Sequence, residues 1–241
     1  MREYYSTTSL DKWLLNIRKQ IEEEKREDSL SEKEFRKLFH TTVNRILKDK
    51  FTVAHDNEVL QDFILNRMVN CNEHCFSKSY FLVGNGAYGF ASDTILGLTT
   101  IRIEIVDIKD LDKSVKKKLI VKGKSPNNVN QVPTFLIDQV AKNDLDNNPV
   151  NGQNIVTVAT TQIKKSLDLI GGAVVTLHAI MPTDPKHRYS VVNIYKKCGF
   201  KTFGNAQFPN GYKKPDSDKA EDKDEEAKVS LYQPMFLRLI K

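Results

Sequence analysis

No apolar run in the chain exceeds eight residues, well short of the roughly 20 that a helix needs to cross a bilayer. The N-terminus MREYYSTTSLDKW has no apolar core of a secretion signal, so a cytoplasmic protein with no membrane contact is expected. Cysteine is scarce as well. Three residues, an odd number, suit free thiols in a reducing compartment better than a disulfide framework. Two of them, Cys71 and Cys75, flank His74 in CNEHC, but no second Cys/His pair follows at finger-like spacing, so no metal is expected. A dinucleotide fold also lacks the helix it would need after its glycines. Gly84, Gly86 and Gly89 match G-x-G-x-x-G, yet the next segment is β-branched and alternates through Ile101, Ile103 and Ile105. A hairpin turn between antiparallel strands explains these glycines better than a phosphate-binding loop.

With 241 residues, 39% hydrophobic and 28% charged, the chain has enough material for a substantial core. The net charge of +6 is unevenly placed, because seven lysines against two aspartates give residues 109–124 a local charge of +5. Lys116, Lys117, Lys118 and Lys122 are the candidates for contact with a nucleic-acid backbone. A solvated charged loop is the other reading of the same run.

Residues 1–50 read as two helices. Leu10, Trp13, Leu14, Ile17 and Ile21 mark one apolar stripe, and Phe35, Leu38, Phe39, Val43, Ile46 and Leu47 mark a second. Ser31 and Glu34 have the spacing of a capping box. The pair is expected as an N-terminal helical extension, with 51–241 as the main domain. A further helix is expected after Phe51, with Asp56 as its cap and Val59, Leu60, Phe63, Ile64 and Met68 on one face.

Farther on, VPTFLIDQVAKND reads as a buried strand. NDLDNNPVNGQNIVTVATTQIKKSL then opens a helix with Ile155, Val156, Ala159, Ile163 and Leu167 on its apolar face. GGAVVTLHAI is a strand, and SVVNIYKKCGF is a short helix with Gly199 at the left-handed stop. His178 on that strand is a packed or edge residue, with a general base or substrate contact as the sharper alternative. KTFGNAQF and VSLYQPMFLRLIK are the last strands, and the charged stretch between them is expected to be an exposed hairpin loop.

A tyrosine four residues before Gly-Phe, on a short helix after an apolar strand, resembles the last helix of the Gcn5-related N-acetyltransferases (GNAT). The helix after Phe51, and Pro-Met before the final strand, resemble its toxin-like branch. The resemblance implies a mixed α/β (α+β) fold, a GNAT-like and mostly antiparallel central sheet flanked by helices. It implies acetyl-CoA as cofactor and transfer of acetyl to a primary amine, in that branch often the α-amino group of an aminoacyl-tRNA. It also implies tRNA, an antitoxin-like protein or a second copy as partners. Tyr195 would then protonate the coenzyme A thiolate as it leaves. Val140, Ala141 and Lys142 would line the cofactor cleft with Asn193, and the amides of Asn151, Gly152, Gln153 and Asn154 would meet the diphosphate. Here the chain departs from the family pattern. Gly152 is the only glycine of the loop, and asparagines stand where glutamine or arginine is usual. The alternative is a catalytically decayed GNAT-fold protein that binds a protein or a nucleic acid.

Overall fold

The computed structural model describes residues 5–24, 30–53, 57–86, 89–120, 125–170, 174–181, 190–206 and 231–239. Seven strands form one mixed sheet in the order β1-β2-β3-β4-β5-β7-β6. They are β1 (Tyr5–Ser9), β2 (Lys78–Gly84), β3 (Ile95–Asp107), β4 (Gln131–Lys142), β5 (Val174–Met181), β6 (Lys201–Thr202) and β7 (Leu231–Arg238). The chain divides into two compact units. The first holds 1–102 and 139–159, the second 103–138 and 160–241. Among the described residues, no helix is long and apolar enough to cross a membrane.

In the first unit, α1 (Leu10–Glu24) and α2 (Glu32–Lys50) form on the two predicted stripes. Ser31 and Glu34 close the expected capping box at the start of α2. These helices are tied to the sheet. Tyr5–Ser9, ahead of them, pairs antiparallel with β2 from Tyr5↔Gly84 to Ser9↔Tyr80. Leu10, Leu14, Ile17, Ile21, Val43 and Leu47 share one buried cluster with Phe81, Leu98 and Ala141, and Trp13 sets its ring edge-on to Phe81 at 5.3 Å. Residues 5–24 and 30–50 thus pack into the sheet and core of the first unit. The strand escapes a sequence reading because YSTTS lacks the apolar alternation of a half-buried strand, and an edge strand does not need it.

The helix expected after Phe51 is assembled from α3 (Glu58–Asp62), a π-helical turn (Phe63–Arg67) and α4 (Met68–Glu73). Its cap is Asn57, whose side chain accepts from Leu60 N, while Asp56 lies outside the described residues. The π turn inserts an extra residue and shifts the apolar stripe. Phe63, Ile64 and Met68 are buried, whereas Val59 is 75% exposed. The glycine-rich run ends β2 and leads into β3 antiparallel to it. Gly86 and Gly89 have φ of 81° and 80°, which suits a turn and not a helix start.

In the second unit, β4 and β5 are parallel and pair over only three residues, Phe135↔Val175 to Ile137↔Leu177. β5 then pairs antiparallel with β7 along its whole length. β6 is a two-residue strand, shorter than expected, fixed by Phe203 N donating to the Pro234 carbonyl at 3.1 Å and by the Phe203–Phe236 ring contact. The lysine-rich stretch folds as α5 (Lys113–Leu119), with Leu119 buried beside Ile108, Ile120 and Phe236. The charged stretch before β7 lies outside the described residues.

Candidate functional site

The first unit holds the predicted diphosphate residues. At the end of β4, alternation sends Val140 into a cluster with Leu96, Val150 and Ile155, and Ala141 into the core beneath α1 and α2. Both residues are thereby anchored, and Lys142 is left exposed. Its Nζ donates to the Asn148 carbonyl at 3.2 Å, which holds an ammonium over the loop leading to α6 (Gly152–Ile170).

That loop is built on its asparagines. Asn143, 1% exposed, donates from Nδ2 to the carbonyls of Lys50 at 2.7 Å and Ile95 at 2.5 Å, and accepts from Thr52 N at 3.0 Å. Asn148 donates to the carbonyls of Leu96 and Asn143, and accepts from Val150 N. Asn147 takes φ of 56°, a left-handed conformation that asparagine tolerates better than most residues. Asn151 and Asn154 cap each other, because Asn154 N donates to Asn151 Oδ1 at 3.1 Å and Asn151 N to Asn154 Oδ1 at 2.9 Å.

The reciprocal cap changes the expectation for the amides. A helix leaves its first four N–H groups without intrahelical partners. Of the four nominated, those of Asn151 and Asn154 are satisfied within the box. Among the described residues, the amides of Gly152 and Gln153 have no protein partner, and they stand at the end of α6 where the helix dipole favours an anion. Of the residues expected at a diphosphate, these two amides and the exposed Lys142 are the ones not taken up by the asparagine box.

The first turn of α6 packs closely on β3. A Cβ at Gly97 would lie 3.2 Å from Ile155 Cδ1 and 3.3 Å from the Ala141 carbonyl. Gly97→Val is therefore expected to displace this turn, to destabilise the protein by about 1–3 kcal/mol and to weaken diphosphate binding at Gly152 and Gln153. Chemical denaturation and a cofactor titration would read these two effects, and an unchanged denaturation midpoint would show that the contact yields easily.

In the second unit, α7 (Ser190–Lys197) carries Tyr195 and ends at Gly199, whose φ is 90°. Tyr195 is half-buried, with its ring 6.4 Å from that of Phe200. Its hydroxyl has no hydrogen-bond partner among the described residues. Burial, with a smaller contribution from Cys198, pushes the phenol up to about 12, so it is fully protonated at neutral pH. Burial also raises the Cys198 thiol. Asn193 is exposed on the same helix. On α5, Lys117 and Lys118 are exposed, while Lys116 is half-buried and donates to the Lys109 carbonyl at 2.6 Å. Lys122 lies outside the described residues. Sequence reasoning missed a row of the half-buried Glu104 and the buried Thr134 and Thr176 in this unit. Two threonines beside apolar residues of β4 and β5 were its only signal.

Short parallel pairing of β4 with β5, within a sheet that is otherwise antiparallel where its pairing is defined, matches a known arrangement. A crystal structure of a bacterial toxin aligns with TM-score 0.52 and 13% identity, over 80% of this chain and 83% of its own. The chain has the Gcn5-related N-acetyltransferase fold. Two other GNAT-fold structures align less closely. AtaT complexed with acetyl-methionyl-tRNAfMet has 16% identity, covers 76% of this chain and 85% of its own, and has TM-score 0.46. NAA60 of Arabidopsis thaliana, in complex with a bisubstrate analogue, has 13% identity, covers 83% and 94%, and has TM-score 0.43. No family model and no curated protein matches the chain.

Proposed function

We propose that this GNAT-fold protein is an acetyl-CoA-dependent N-acetyltransferase acting on a primary amine, the α-amino group of an aminoacyl-tRNA. The observation that carries the reading is Tyr195, a protonated and half-buried phenol on the helix after β5. When bound, acetyl-CoA supplies an activated acetyl thioester. The amides of Gly152 and Gln153 and the Lys142 ammonium would hold its diphosphate, and β4 would offer main chain at Val140 and Ala141 to its amide-bearing arm. As the amine nitrogen bonded to the acetyl carbon and the C–S bond broke, Tyr195 would give its Oη proton to the departing sulfur; the proton lost by the amine would pass to solvent, from which Tyr195 would be reprotonated. Asn193, exposed on the same helix, is assigned to the cofactor as well.

Lys117 and Lys118 supply the charge for the tRNA backbone. Replacing both by alanine is expected to flatten the dependence of log affinity on log salt by about one unit for each phosphate no longer neutralised, measured by filter binding over a salt series. An unchanged slope would remove α5 from the interface.

A specific observation favours a second reading, the decayed binding protein. The Asn151–Asn154 box occupies two amides that a diphosphate could use. Calorimetric titration with acetyl-CoA and with coenzyme A separates the two readings. Binding in the micromolar range is expected for the wild type. Asn154→Ala releases the Asn151 amide, so it should hold or raise affinity while lowering stability by about 1 kcal/mol. No heat and no thermal shift at millimolar cofactor would overturn the enzyme reading in favour of the binder.

A further inference from the structure

In the second unit three polar side chains form a row across β3, β4 and β5: Glu104, Thr134 and Thr176. Thr134 is 3% exposed and Thr176 is 0%, with their hydroxyls 2.9 Å apart. Thr176 Oγ1 also lies 3.4 Å from Glu104 Oε2 and 3.4 Å from the Phe135 carbonyl, and Thr134 Oγ1 lies 3.5 Å from the Glu104 carbonyl. Each hydroxyl has one proton to give. If Thr134 donates to Thr176 across the shortest separation, the Thr176 proton is left for the Glu104 carboxylate.

The positions around Thr176 on β5 are apolar, with Val174, Val175 and Leu177 all buried. Valine has nearly the shape of threonine and would fill sites 134 and 176 without burying a hydroxyl, which is unfavourable unless the hydroxyl is bonded. What the two hydroxyls add is a fixed direction for the Glu104 carboxylate, which is half-buried and so still reachable. Two residues along β5 from Thr176, and on the same face, His178 is exposed. Its ring centroid lies 6.4 Å from that of Tyr232. The face thus presents a carboxylate at its buried end and an aromatic pair at its open end. A primary ammonium suits both, through a charge-assisted hydrogen bond and through the ring faces.

We propose that Glu104, held by the Thr176–Thr134 hydroxyl pair, binds the ammonium group of the acceptor, with His178 and Tyr232 as the wall beside it. This inference rests on the N-acetyltransferase reading and names the acceptor end of that site. Glu104 is the binding residue, and Thr134 and Thr176 are positioning residues.

The test uses the full chain with L-alaninamide as an ammonium probe and N-acetyl-L-alaninamide as its neutral counterpart, followed by NMR titration of the threonine and histidine side-chain resonances. Alaninamide is expected to shift Thr176 and His178 and the acetylated compound to leave them in place. Glu104→Gln should weaken alaninamide about tenfold or more, as for loss of a hydrogen bond to a charged group. Thr176→Val should weaken it by a smaller factor, and Thr176→Ser should restore wild-type binding, which a merely structural role for the site would not produce. Absence of alaninamide binding to the wild type, or equal binding by a folded Glu104→Gln variant, would overturn the assignment. Failure of the acetyltransferase reading looks different: ammonium binding persists while acetyl-CoA yields no acetylated amine. Acetyl transfer that survives without ammonium binding at Glu104 rejects the Glu104 site alone.

Discussion

Tyr195→Phe is expected to lower the acetyl-transfer rate by about 100-fold, leaving KM for acetyl-CoA and thermal unfolding at neutral pH unchanged. The hydroxyl acts only as sulfur departs, so its loss removes an interaction made in the transition state and not in the bound complex. A phenol near 12 is a poor acid toward a thiolate in water, because an ordinary thiol ionises near 8.5. Cys198 shows what the same surroundings do to sulfur: burial pushes its thiol upward. A thiolate generated beside Tyr195 meets the same desolvation, becomes a stronger base, and narrows the gap. An unaltered rate in a folded Tyr195→Phe variant would take the phenol out of the chemistry.

The raised phenol also has a stability signature. Its proton is held more tightly in the fold than in the unfolded chain, where a tyrosine ionises near 10. The stabilising contribution is therefore complete below pH 10 and is lost as the pH rises through about 12. The loss is on the order of 2 kcal/mol. The Cys198 thiol acts with the same sign, from its unfolded value upward. Wild type should thus lose stability in strong alkali faster than Tyr195→Phe, which keeps only the Cys198 contribution. Parallel stability curves for the two proteins above pH 10 would contradict the burial argument.

Local signals in the sequence carried local structure. The Ser31–Glu34 box, the two N-terminal stripes, the glycine turn after β2 and the Gly199 stop each depend on residues within a few positions of one another. Features that depend on distant partners left no such trace. Asn143 reaches carbonyls at Lys50 and Ile95, and Thr176 meets Glu104. No periodicity in a single sequence encodes those pairings. β1 is polar because one of its sides has no strand neighbour, so alternation could not reveal it. Tyr195 was legible because a short helix with a glycine stop is a local pattern. Its burial and raised pKa belong to the packing around it.

Asn143→Ala is the substitution outside the proposed chemistry with the largest expected effect. It strips partners from the Thr52 amide and from the carbonyls of Lys50 and Ile95, at a residue 1% exposed. Each buried group left unsatisfied costs about 1–3 kcal/mol, so a total on the order of 3–5 kcal/mol is expected after partial relaxation. For a chain of this size that lowers Tm by about 6–20 °C. Hydrogen exchange should accelerate at Thr52 and Val53, because Asn143 also bridges Val53. By contrast Asn154→Ala removes only an exposed cap. If Asn143→Ala melts with the wild type, the latch is dispensable and the loop is held by its apolar anchors, Val140, Leu145 and Val150. If it melts far below, the asparagines are not the remains of an eroded glycine loop. Asn147 makes the left-handed turn that glycine would make, Asn143 and Asn148 fix the loop to β3, and Asn151 starts the helix. Gly152 and Gln153 are then the amides this framework leaves open, so a loop that departs from its family in sequence can still present a diphosphate site.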